Sequence, residues 1–316
     1  MSAFATRIRE VELELSEKGI PFLQEEPLKN HTTFRIGGPA SIFCTPESKT
    51  QLIDAACLAN RKNLPSCFLG RGSNVLFRDE GYRGMIIATS NALKEILQCE
   101  EGLCVGAGAS ITATCLAAQK AELAGLEFAN GIPGTLGGAI YMNAGAYGGE
   151  MKDVLRSVTY VDETGAENTV DSCNLALGYR TSLFQRKPWC ILSAVLDLRQ
   201  GKTEEILALM EHNRKLRDEK QPMDLPSAGS AFKRPDGNFA GALIDRSGLR
   251  GYRVGDAAIS EKHCGFIVNL GKATCQDVLT LMETVQGIVL EKTGYLLEKE
   301  IRVISAESGM FCEIEG

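Results

Sequence analysis

One stretch constrains the fold of this chain more than any other: Gly131-Ile-Pro-Gly-Thr-Leu-Gly-Gly-Ala-Ile-Tyr-Met-Asn-Ala-Gly-Ala-Tyr-Gly-Gly149. Seven of its nineteen residues are glycine, whereas the chain's 33 glycines in 316 residues would place about two there. Glycine reaches backbone angles closed to other residues and lets a ligand or a second backbone approach closely. We call residues 131–149 the glycine stretch.

The glycine stretch is not a typical flexible linker, because it also contains apolar Ile132, Leu136, Ile140 and Met142. Flexible linkers with that much glycine are filled with serine and other polar residues. One interpretation is a packed backbone surface that lies against something flat or anionic. The other is a long structural connection with several turns, since single glycines usually mark only turns. Glycine content alone leaves both interpretations open.

The composition is that of a folded protein with room for roughly two domains. Hydrophobic residues make up 44% of the chain and charged residues 23%. The net charge of -6 and the aromatic content of 6% indicate neither a basic surface nor stacking platforms for nucleic acid. Residues 1–19 are too charged for a signal peptide, and no apolar run is long enough to span a membrane. We therefore expect no nucleic-acid or membrane partner, and no obligatory protein partner is evident.

Cysteine and histidine usage indicates a cytoplasmic protein without a metal site. The eleven cysteines are scattered, odd in number and never spaced as Cys-x-x-Cys. We expect reduced thiols that pack as small hydrophobic side chains. The three histidines, His31, His212 and His263, are far apart, so no metal is predicted.

Hydrophobic periodicity with start and stop signals predicts a mixture of short strands and longer helices. Helices are predicted at residues 4–15, 48–59, 110–123, 203–215 and 274–294, where Ser110 and Thr203 serve as N-caps and Gly294 as the stop. Strands are predicted at residues 41–44, 64–69, 75–77, 85–88, 103–106, 154–161, 191–198 and 297–304. Such alternation is typical of α/β and α+β proteins. A shift in composition near Gly201 predicts a domain boundary there.

A second glycine-rich segment, Gly70-Arg-Gly-Ser-Asn74, follows a predicted strand. Consecutive backbone N–H groups in such a turn form an anion-binding nest, to which Ser73 and Asn74 would add side-chain donors. An ordinary strand-to-strand turn explains the same residues. A dinucleotide fingerprint starting here would need a third glycine where Val75 stands. The chain also lacks a Walker P-loop and a nucleophile elbow.

Three further segments carry residues suited to catalysis. Arg180 follows a turn, and its forked guanidinium suits a planar carboxylate. Ser230 follows two small residues that would let a ligand close on its hydroxyl group. The alternation from residue 297 to 303 places Glu298, Glu300 and Arg302 on one face of a strand. Each also has an ordinary explanation: a surface arginine, a turn serine and a solvated strand face.

Taken together, these segments resemble one known family, the UDP-N-acetylenolpyruvoylglucosamine reductases. The resemblance covers nearly the whole chain and rests on six segments in the family's order: Gly70-Arg-Gly-Ser-Asn-Val-Leu76, Gly131-Ile-Pro-Gly-Thr-Leu-Gly-Gly-Ala139, Met142-Asn-Ala-Gly145, Tyr179-Arg-Thr-Ser182, Pro226-Ser-Ala-Gly-Ser-Ala-Phe-Lys233 and Leu297-Glu-Lys-Glu-Ile-Arg302. The 49 residues between Arg180 and Ser230 contain no tyrosine. The chain is therefore similar to the shorter group of the family, which lacks a tyrosine-bearing substrate loop.

The resemblance implies an α+β fold, with an FAD-binding region of the vanillyl-alcohol-oxidase (PCMH) type and a separate α+β substrate-binding domain. The implied FAD-binding region is residues 1–201, in two subdomains of roughly 1–70 and 71–201. The UDP-sugar domain would be residues 202–296. Residues 297–316 would form a C-terminal strand that returns to the active site.

The resemblance also implies an activity in peptidoglycan precursor synthesis, and hence in cell-wall biogenesis, cell shape and cell division. NADPH would reduce the flavin of FAD. The reduced flavin would then pass a hydride to UDP-N-acetylglucosamine enolpyruvate, giving UDP-N-acetylmuramate. Two alternatives remain at this point: a flavin oxidase of the same superfamily with another substrate, and a nucleotide-sugar-binding protein without a redox role.

Roles for individual residues follow only from the resemblance. Arg180 and Glu300 would stabilise the substrate carboxylate, and Ser230 would donate a proton to the carbon beside it. Since Glu300 would face an anion, its pKa should be raised. The resemblance implies that the substrate contacts Tyr179, Lys220 and Lys233. It also implies that FAD contacts the two glycine-rich segments, through Gly70, Arg71, Gly72, Ser73, Asn74, Gly131, Ile132, Pro133, Gly134, Thr135, Gly137, Gly138, Ala139 and Asn143.

Overall fold

The structure, a computed structural model, describes residues 3–305 of the chain. The last residues of the predicted C-terminal strand segment, 306–316, lie outside the described residues. Within 3–305 there are seven α-helices: α1 Ala3–Glu17, α2 Lys49–Arg61, α3 Ile111–Lys120, α4 Leu136–Tyr141, α5 Thr203–Lys220, α6 Ala240–Arg246 and α7 Cys275–Thr293.

The strands of the same range are mostly short. They are β1 Phe22–Pro27, β2 Pro39–Cys44, β3 Ser66–Leu69, β4 Val75–Phe77, β5 Tyr82–Ala88, β6 Ile96–Cys99, β7 Gly102–Gly106, β8 Leu123–Ala124, β9 Gly145–Ala146, β10 Gly149–Glu150, β11 Leu155–Val161, β12 Glu167–Asp171, β13 Cys190–Asp197, β14 Arg199–Gln200, β15 Ser227–Ser230, β16 Arg253–Val254, β17 Ala257–Ile259, β18 Phe266–Asn269 and β19 Arg302–Ile304.

The first sheet has the strand order β1-β2-β5-β3, and its two pairings with β5 are parallel. Helices α1 and α2 cover it through one apolar core that includes Leu15, Leu52 and Ile87. The side chain of Ser48 caps α2 by accepting a hydrogen bond from the backbone N–H of Gln51. Because β5 inserts between β2 and β3, the predicted subdomain boundary at residue 70 falls inside this sheet.

The second sheet is antiparallel, with the order β12-β11-β13-β7-β6. Its core includes Val105 and Leu196 and also Leu136 of α4. Helix α5 adds Ile206 and Met210 to the same core. Although α5 follows the boundary predicted near Gly201, it therefore packs on the sheet that precedes that boundary.

The third sheet has the order β15-β18-β17-β16 and packs against α6 and α7 through a separate core. Helix α7 has the predicted bounds. The side chain of Thr274 accepts from the backbone N–H of Asp277 at its start, and Gly294 ends it with φ +77°. That left-handed conformation suits glycine at a helix C-terminus.

Three predicted helix details are wrong, and tertiary contacts explain the first two. Helix α3 ends at Lys120 because Leu123 pairs with Gln200 in a small two-stranded sheet. The N-cap of α5 is Lys202, since the hydroxyl of Thr203 bonds Glu122 instead. The same helix continues past residue 215 to Lys220.

The predicted strand 297–304 is divided into two parts. Its first part lies along residues 231–233: the N–H of Glu300 donates to Ala231 O at 2.9 Å, and the N–H of Lys233 donates to Glu298 O at 2.8 Å. Only β19 is a regular strand, and it pairs in parallel with β4, which follows residues 70–74. Residues 297–304 thus connect the segment after β15 of the third sheet with β4.

Residues 3–305 contain neither a membrane-spanning helix nor a cluster of metal-ligating side chains. No helix in that range has the length and apolarity needed to cross a membrane. No group of three or more potential metal-ligating side chains occurs there either.

Candidate active site

Two glycine-rich segments, residues 70–74 (the Gly70 loop) and the glycine stretch, are in direct contact. The hydroxyl of Ser73 donates a hydrogen bond to Pro133 O at 2.6 Å. A Cβ atom on Gly70 would lie only 2.5 Å from Thr135 Oγ1. The absence of a side chain at Gly70 therefore allows the two loops to meet.

The Gly70 loop has the properties of an anion-binding nest. Gly72 has φ +61°, and a Cβ there would lie 2.3 Å from His31 O. Among residues 3–305, no hydrogen-bond acceptor is found for the backbone N–H groups of Arg71, Gly72 and Ser73. A phosphate group would supply such acceptors, so these residues fit the pyrophosphate of FAD.

The side chains of the Gly70 loop act differently from the prediction. The hydroxyl of Ser73 is already committed to Pro133, so it is not available as a donor to an anion. Asn74 bonds the C-terminal segment instead. Its side-chain Nδ2 donates to Glu300 O at 3.3 Å, and its backbone carbonyl accepts from the N–H of Arg302 at 3.1 Å. The loop therefore anchors the backbone of Glu300.

Gly137 and Gly138 of the glycine stretch differ in what limits them. A Cβ on Gly137 would lie 3.0 Å from Ala107 Cβ, so the fold itself requires a small residue there. A Cβ on Gly138 would meet only Thr135 Oγ1, at 3.5 Å, and the residue is exposed. The protein leaves space over Gly138, where a flat ligand could lie against the backbone.

Arg180 and Glu300 form a largely buried ion pair, although 119 residues separate them in sequence. Nε of Arg180 donates to Glu300 Oε1 at 2.6 Å, and the two side chains are 19% and 11% exposed. Nη2 of Arg180 also donates to Gly145 O at 3.3 Å. The pair therefore lies beside the glycine stretch.

Burial controls the protonation of Glu300. It raises the pKa of the carboxyl group above its usual value, although the positive charge of Arg180 and its hydrogen bond act in the opposite direction. The predicted direction of this shift is confirmed. A carboxyl group with a raised pKa can remain protonated beside an anionic ligand.

Ser230 ends β15 next to this pair. Its neighbour Gly229 has φ +78°, and a bulge interrupts the pairing of β15 with β18 between Ser227 and Ser230. The following residue, Ala231, accepts the hydrogen bond from the N–H of Glu300. Within the described range, the Ser230 hydroxyl has no hydrogen-bond partner in the protein, so it remains available to a ligand.

Thr33 joins the strand of Ser230 to the Gly70 loop. Its hydroxyl donates to Ser227 O at 2.7 Å, and its N–H donates to Gly72 O at 3.1 Å. The structure thus brings together segments near residues 33, 72, 135, 180, 230 and 300.

The residues predicted to bind substrate lie in different surroundings. Tyr179 is 48% exposed, and its hydroxyl accepts a hydrogen bond from the N–H of Arg234 at 3.0 Å. Lys233 forms an ion pair with Glu298 at 3.0 Å. Lys220 is exposed at the end of α5. Tyr179 precedes Arg180 in sequence, and Lys233 contacts Glu298, two residues before Glu300, whereas Lys220 takes part in neither contact.

Sequence reasoning missed Arg217, a buried arginine beside the glycine stretch. It is 6% exposed, its buried Nε has no hydrogen-bond partner among the described residues, and burial lowers its pKa. A Cβ on Gly131 would lie 3.3 Å from this Nε. A sequence signal was present, because Arg217 continues the inward-facing positions Ile206, Met210 and Asn213 at helical spacing.

Comparisons with known proteins agree with this geometry. Residues 40–171 match the family described as FAD binding domain. Residues 221–304 match the UDP-N-acetylenolpyruvoylglucosamine reductase, C-terminal domain. This second match begins immediately after α5.

Whole-chain relatives carry the same name. The UDP-N-acetylenolpyruvoylglucosamine reductase of Agathobacter rectalis is 46% identical over 313 residues, covering 95% of this chain and 98% of that protein. The one of Lachnoclostridium phytofermentans is 46% identical over 283 residues, with coverages of 88% and 91%. The solved reductase structure from Thermus caldophilus has a TM-score of 0.76 and 37% identity, covering 90% of this chain and 98% of that chain.

The FAD-domain match and the reductase relatives define the class: an FAD-dependent oxidoreductase with an α+β fold, in which an FAD-binding region is joined to a separate α+β domain. The whole-chain relatives narrow this class further. The chain belongs to the UDP-N-acetylenolpyruvoylglucosamine reductase family.

Proposed function

We propose that this chain reduces UDP-N-acetylglucosamine enolpyruvate to UDP-N-acetylmuramate with NADPH as the electron donor, using Arg180, Ser230 and Glu300. One observation carries the residue assignment: the buried Arg180–Glu300 pair adjoins both the glycine stretch and the strand of Ser230. Arginine, carboxyl and hydroxyl groups are what reduction of an enolpyruvyl carboxylate requires next to a hydride source.

The cofactor would be held largely by backbone groups. The nest of Arg71, Gly72 and Ser73 would bind the pyrophosphate, and the glycine stretch from Gly131 to Asn143 would pass beside it and the isoalloxazine ring. When bound and reduced by NADPH, FAD supplies the hydride that the substrate's methylene carbon accepts. Tyr179, Lys220 and Lys233 remain proposed substrate contacts.

Arg180 and Glu300 would stabilise the charge that develops on the substrate carboxylate. Negative charge moves onto this group only as the methylene carbon is reduced, so a preorganised arginine stabilises the transition state more than the ground state. Glu300 orients Arg180 through the 2.6 Å bond. In its protonated form it adds a donor without placing a second negative charge beside the substrate.

Ser230 would complete the reaction by proton transfer. The hydride adds to the methylene carbon, and the carbon beside the carboxylate takes a proton from Oγ of Ser230, so the carbon–carbon double bond becomes single. Serine is a weak acid, but the carbanion is strongly basic and the geometry is fixed. Solvent then returns a proton to the serine oxygen.

The state of the cysteines and the proposed product support a cytoplasmic enzyme of cell-wall synthesis. None of the ten cysteines within residues 3–305 is in a disulfide, as expected in a reducing compartment. Its proposed product is a peptidoglycan precursor, so the enzyme would contribute to cell shape and division. We further propose that the UDP-sugar domain begins after α5, since α5 packs on the second sheet.

The flavin spectrum in anaerobic half-reactions tests this function. The purified protein should be yellow, NADPH should bleach it, and the enolpyruvyl sugar should restore the absorbance. Ser230→Ala should bleach normally but recover at least about a hundredfold more slowly. Ser230→Thr, which keeps a hydroxyl group, is the matched control.

The outcomes separate the alternatives. A protein that takes up no FAD would exclude both flavin enzymes. Reoxidation by oxygen but not by the enolpyruvyl sugar would favour an oxidase. If Ser230→Ala recovers as fast as the wild type, Ser230 is not the proton donor.

A further inference from the structure

Asn143 lies in the glycine stretch, and its side chain is completely buried. The backbone of Asn143 has φ +40°, in the left-handed region that asparagine enters more readily than most residues. Its carboxamide makes three hydrogen bonds inside the protein. Nδ2 donates to Glu150 Oε2 at 2.6 Å and to Gly178 O at 2.9 Å, and Oδ1 accepts from the N–H of Lys152 at 2.9 Å.

Asn143 is among the predicted cofactor contacts, and these bonds argue against a contact through its side chain. Both N–H groups of the carboxamide are already in hydrogen bonds. The backbone N–H of Lys152 needs an acceptor, so Oδ1 of Asn143 must face it, and this fixes the orientation of the amide. The side chain is instead directed at Gly178, which opens the turn that carries Arg180.

The turn at residues 178–181 needs support from outside. Gly178 and Thr181 exchange both backbone hydrogen bonds, each 3.2 Å long. Between them, Arg180 has φ +56°, a conformation that residues with a side chain rarely adopt. Strained residues of this kind persist only where surrounding contacts hold them.

The same short piece of the glycine stretch holds both the turn and the guanidinium group. Asn143 bonds the turn through Gly178 O, and the carbonyl of Gly145, two residues further on, accepts from Arg180 Nη2. On the other side, Nε2 of Gln185 donates to Arg180 O at 3.0 Å. The position of Arg180 thus depends on how Asn143 holds Gly178.

We propose that Asn143 is a positioning residue for Arg180. It holds the strained turn so that the guanidinium group meets Glu300 and the substrate carboxylate, and it does not contact the substrate itself. This inference rests on the proposed role of Arg180. Because Asn143 belongs to the stretch expected beside the flavin, it also ties the carboxylate-binding group to the hydride source.

The test is a double-mutant cycle measured on the flavin half-reactions. Asn143→Gly removes the carboxamide, while glycine adopts φ +40° without strain. We expect FAD binding and NADPH bleaching at wild-type levels and reoxidation by the enolpyruvyl sugar slowed about tenfold or more. In an Arg180→Ala background, the same substitution should change the reoxidation rate less than about twofold.

A second variant covers the case in which Asn143→Gly does not fold. Asn143→Asp combined with Glu150→Gln keeps the bond between residues 143 and 150 with the roles exchanged, and it keeps the acceptor for Lys152. It replaces the donor to Gly178 with an acceptor oxygen that faces Gly178 O, so it should slow reoxidation at least as much as Asn143→Gly does. Glu150→Gln alone, which preserves an acceptor for Asn143, is the matched control and should reoxidise at nearly the wild-type rate.

Other results would overturn the inference. An equal loss of rate with and without Arg180 would mean that Asn143 acts independently of Arg180. A loss of FAD affinity with normal reoxidation of the bound flavin would mean that Asn143 contacts the cofactor. Unchanged reoxidation in Arg180→Ala alone would refute the proposed role of Arg180 and the positioning role with it.

Discussion

Glu300 illustrates how much a single residue depends on its surroundings. Its pKa is raised by burial, against the opposing effect of Arg180. The folded protein therefore binds this proton more tightly than the unfolded chain does. By linkage, the free energy of unfolding that Glu300 contributes is fully present below the ordinary glutamate pKa, and it is lost as pH rises through the raised value.

Replacing Glu300 with glutamine should remove that pH dependence. We expect the wild type to lose stability relative to Glu300→Gln as pH rises from the ordinary glutamate value through the raised one. The measurement is urea unfolding of both proteins at a series of pH values. Glu298→Gln is the control, since Glu298 is exposed. A difference between wild type and Glu300→Gln that does not change with pH would contradict the raised pKa.

Among the elements, the glycine stretch has two kinds of glycine. Gly137, in α4, packs against Ala107, so a large side chain there should destabilise the fold whether or not FAD binds. Gly138, one residue further along α4, is exposed and has room around it. Of these two positions, Gly138 is the one where a substitution can weaken cofactor binding without disturbing the fold.

Gly138→Leu should weaken FAD binding at least about tenfold, which corresponds to about 1.4 kcal/mol, while the fold remains intact. The flavin-to-protein absorbance ratio and a titration with FAD would measure the affinity, and circular dichroism would report the fold. Gly148→Asn is the control from the same stretch, because position 148 is open and has φ +86°, which asparagine tolerates. A Gly138→Leu protein with normal FAD affinity would show that the ring does not lie over this residue.

On the scale of the whole molecule, the proposed cofactor contacts join parts of the chain that pack in different cores. The Gly70 loop follows β3 of the first sheet. The glycine stretch contributes Leu136 and Ile140 to the core of the second sheet. A ligand held by both loops stabilises the native state and not the unfolded chain. At a hundredfold excess over its dissociation constant, such a ligand contributes about 2.7 kcal/mol.

Removal of FAD should therefore lower the melting temperature by several degrees, and added FAD should restore it. Differential scanning calorimetry of the holoprotein, the stripped protein and the reconstituted protein would measure this. Riboflavin, which lacks the pyrophosphate that the nest would bind, should restore less of the shift at equal concentration. Equal effects of FAD and riboflavin would argue against the nest at Arg71, Gly72 and Ser73.

Predictability from sequence differed among the elements. Helices α1 and α7 and the strands β4, β11 and β13 were predicted to within a few residues, because each has a strong apolar pattern or a cap of its own. The predictions were wrong for the end of α3, for the cap of α5 and for residues 297–304, which were expected to form one continuous strand. Partners distant in sequence decide these three features. Helix α5 follows the predicted boundary, and its packing on the second sheet also depends on residues distant in sequence.

Local sequence patterns were sufficient for a mixed α/β or α+β protein and for the candidate residues, because glycine-rich turns, helix caps and apolar periodicity act over short distances. The family resemblance then implied the α+β fold and assigned Arg180, Ser230 and Glu300 their proposed roles. Long-range packing alone decided that Arg180 and Glu300 form a buried pair and that burial raises the pKa of Glu300. It also turned Asn143 towards Gly178 and buried Arg217, since a hydrogen bond or a desolvated charge depends on atoms that no nearby sequence contains.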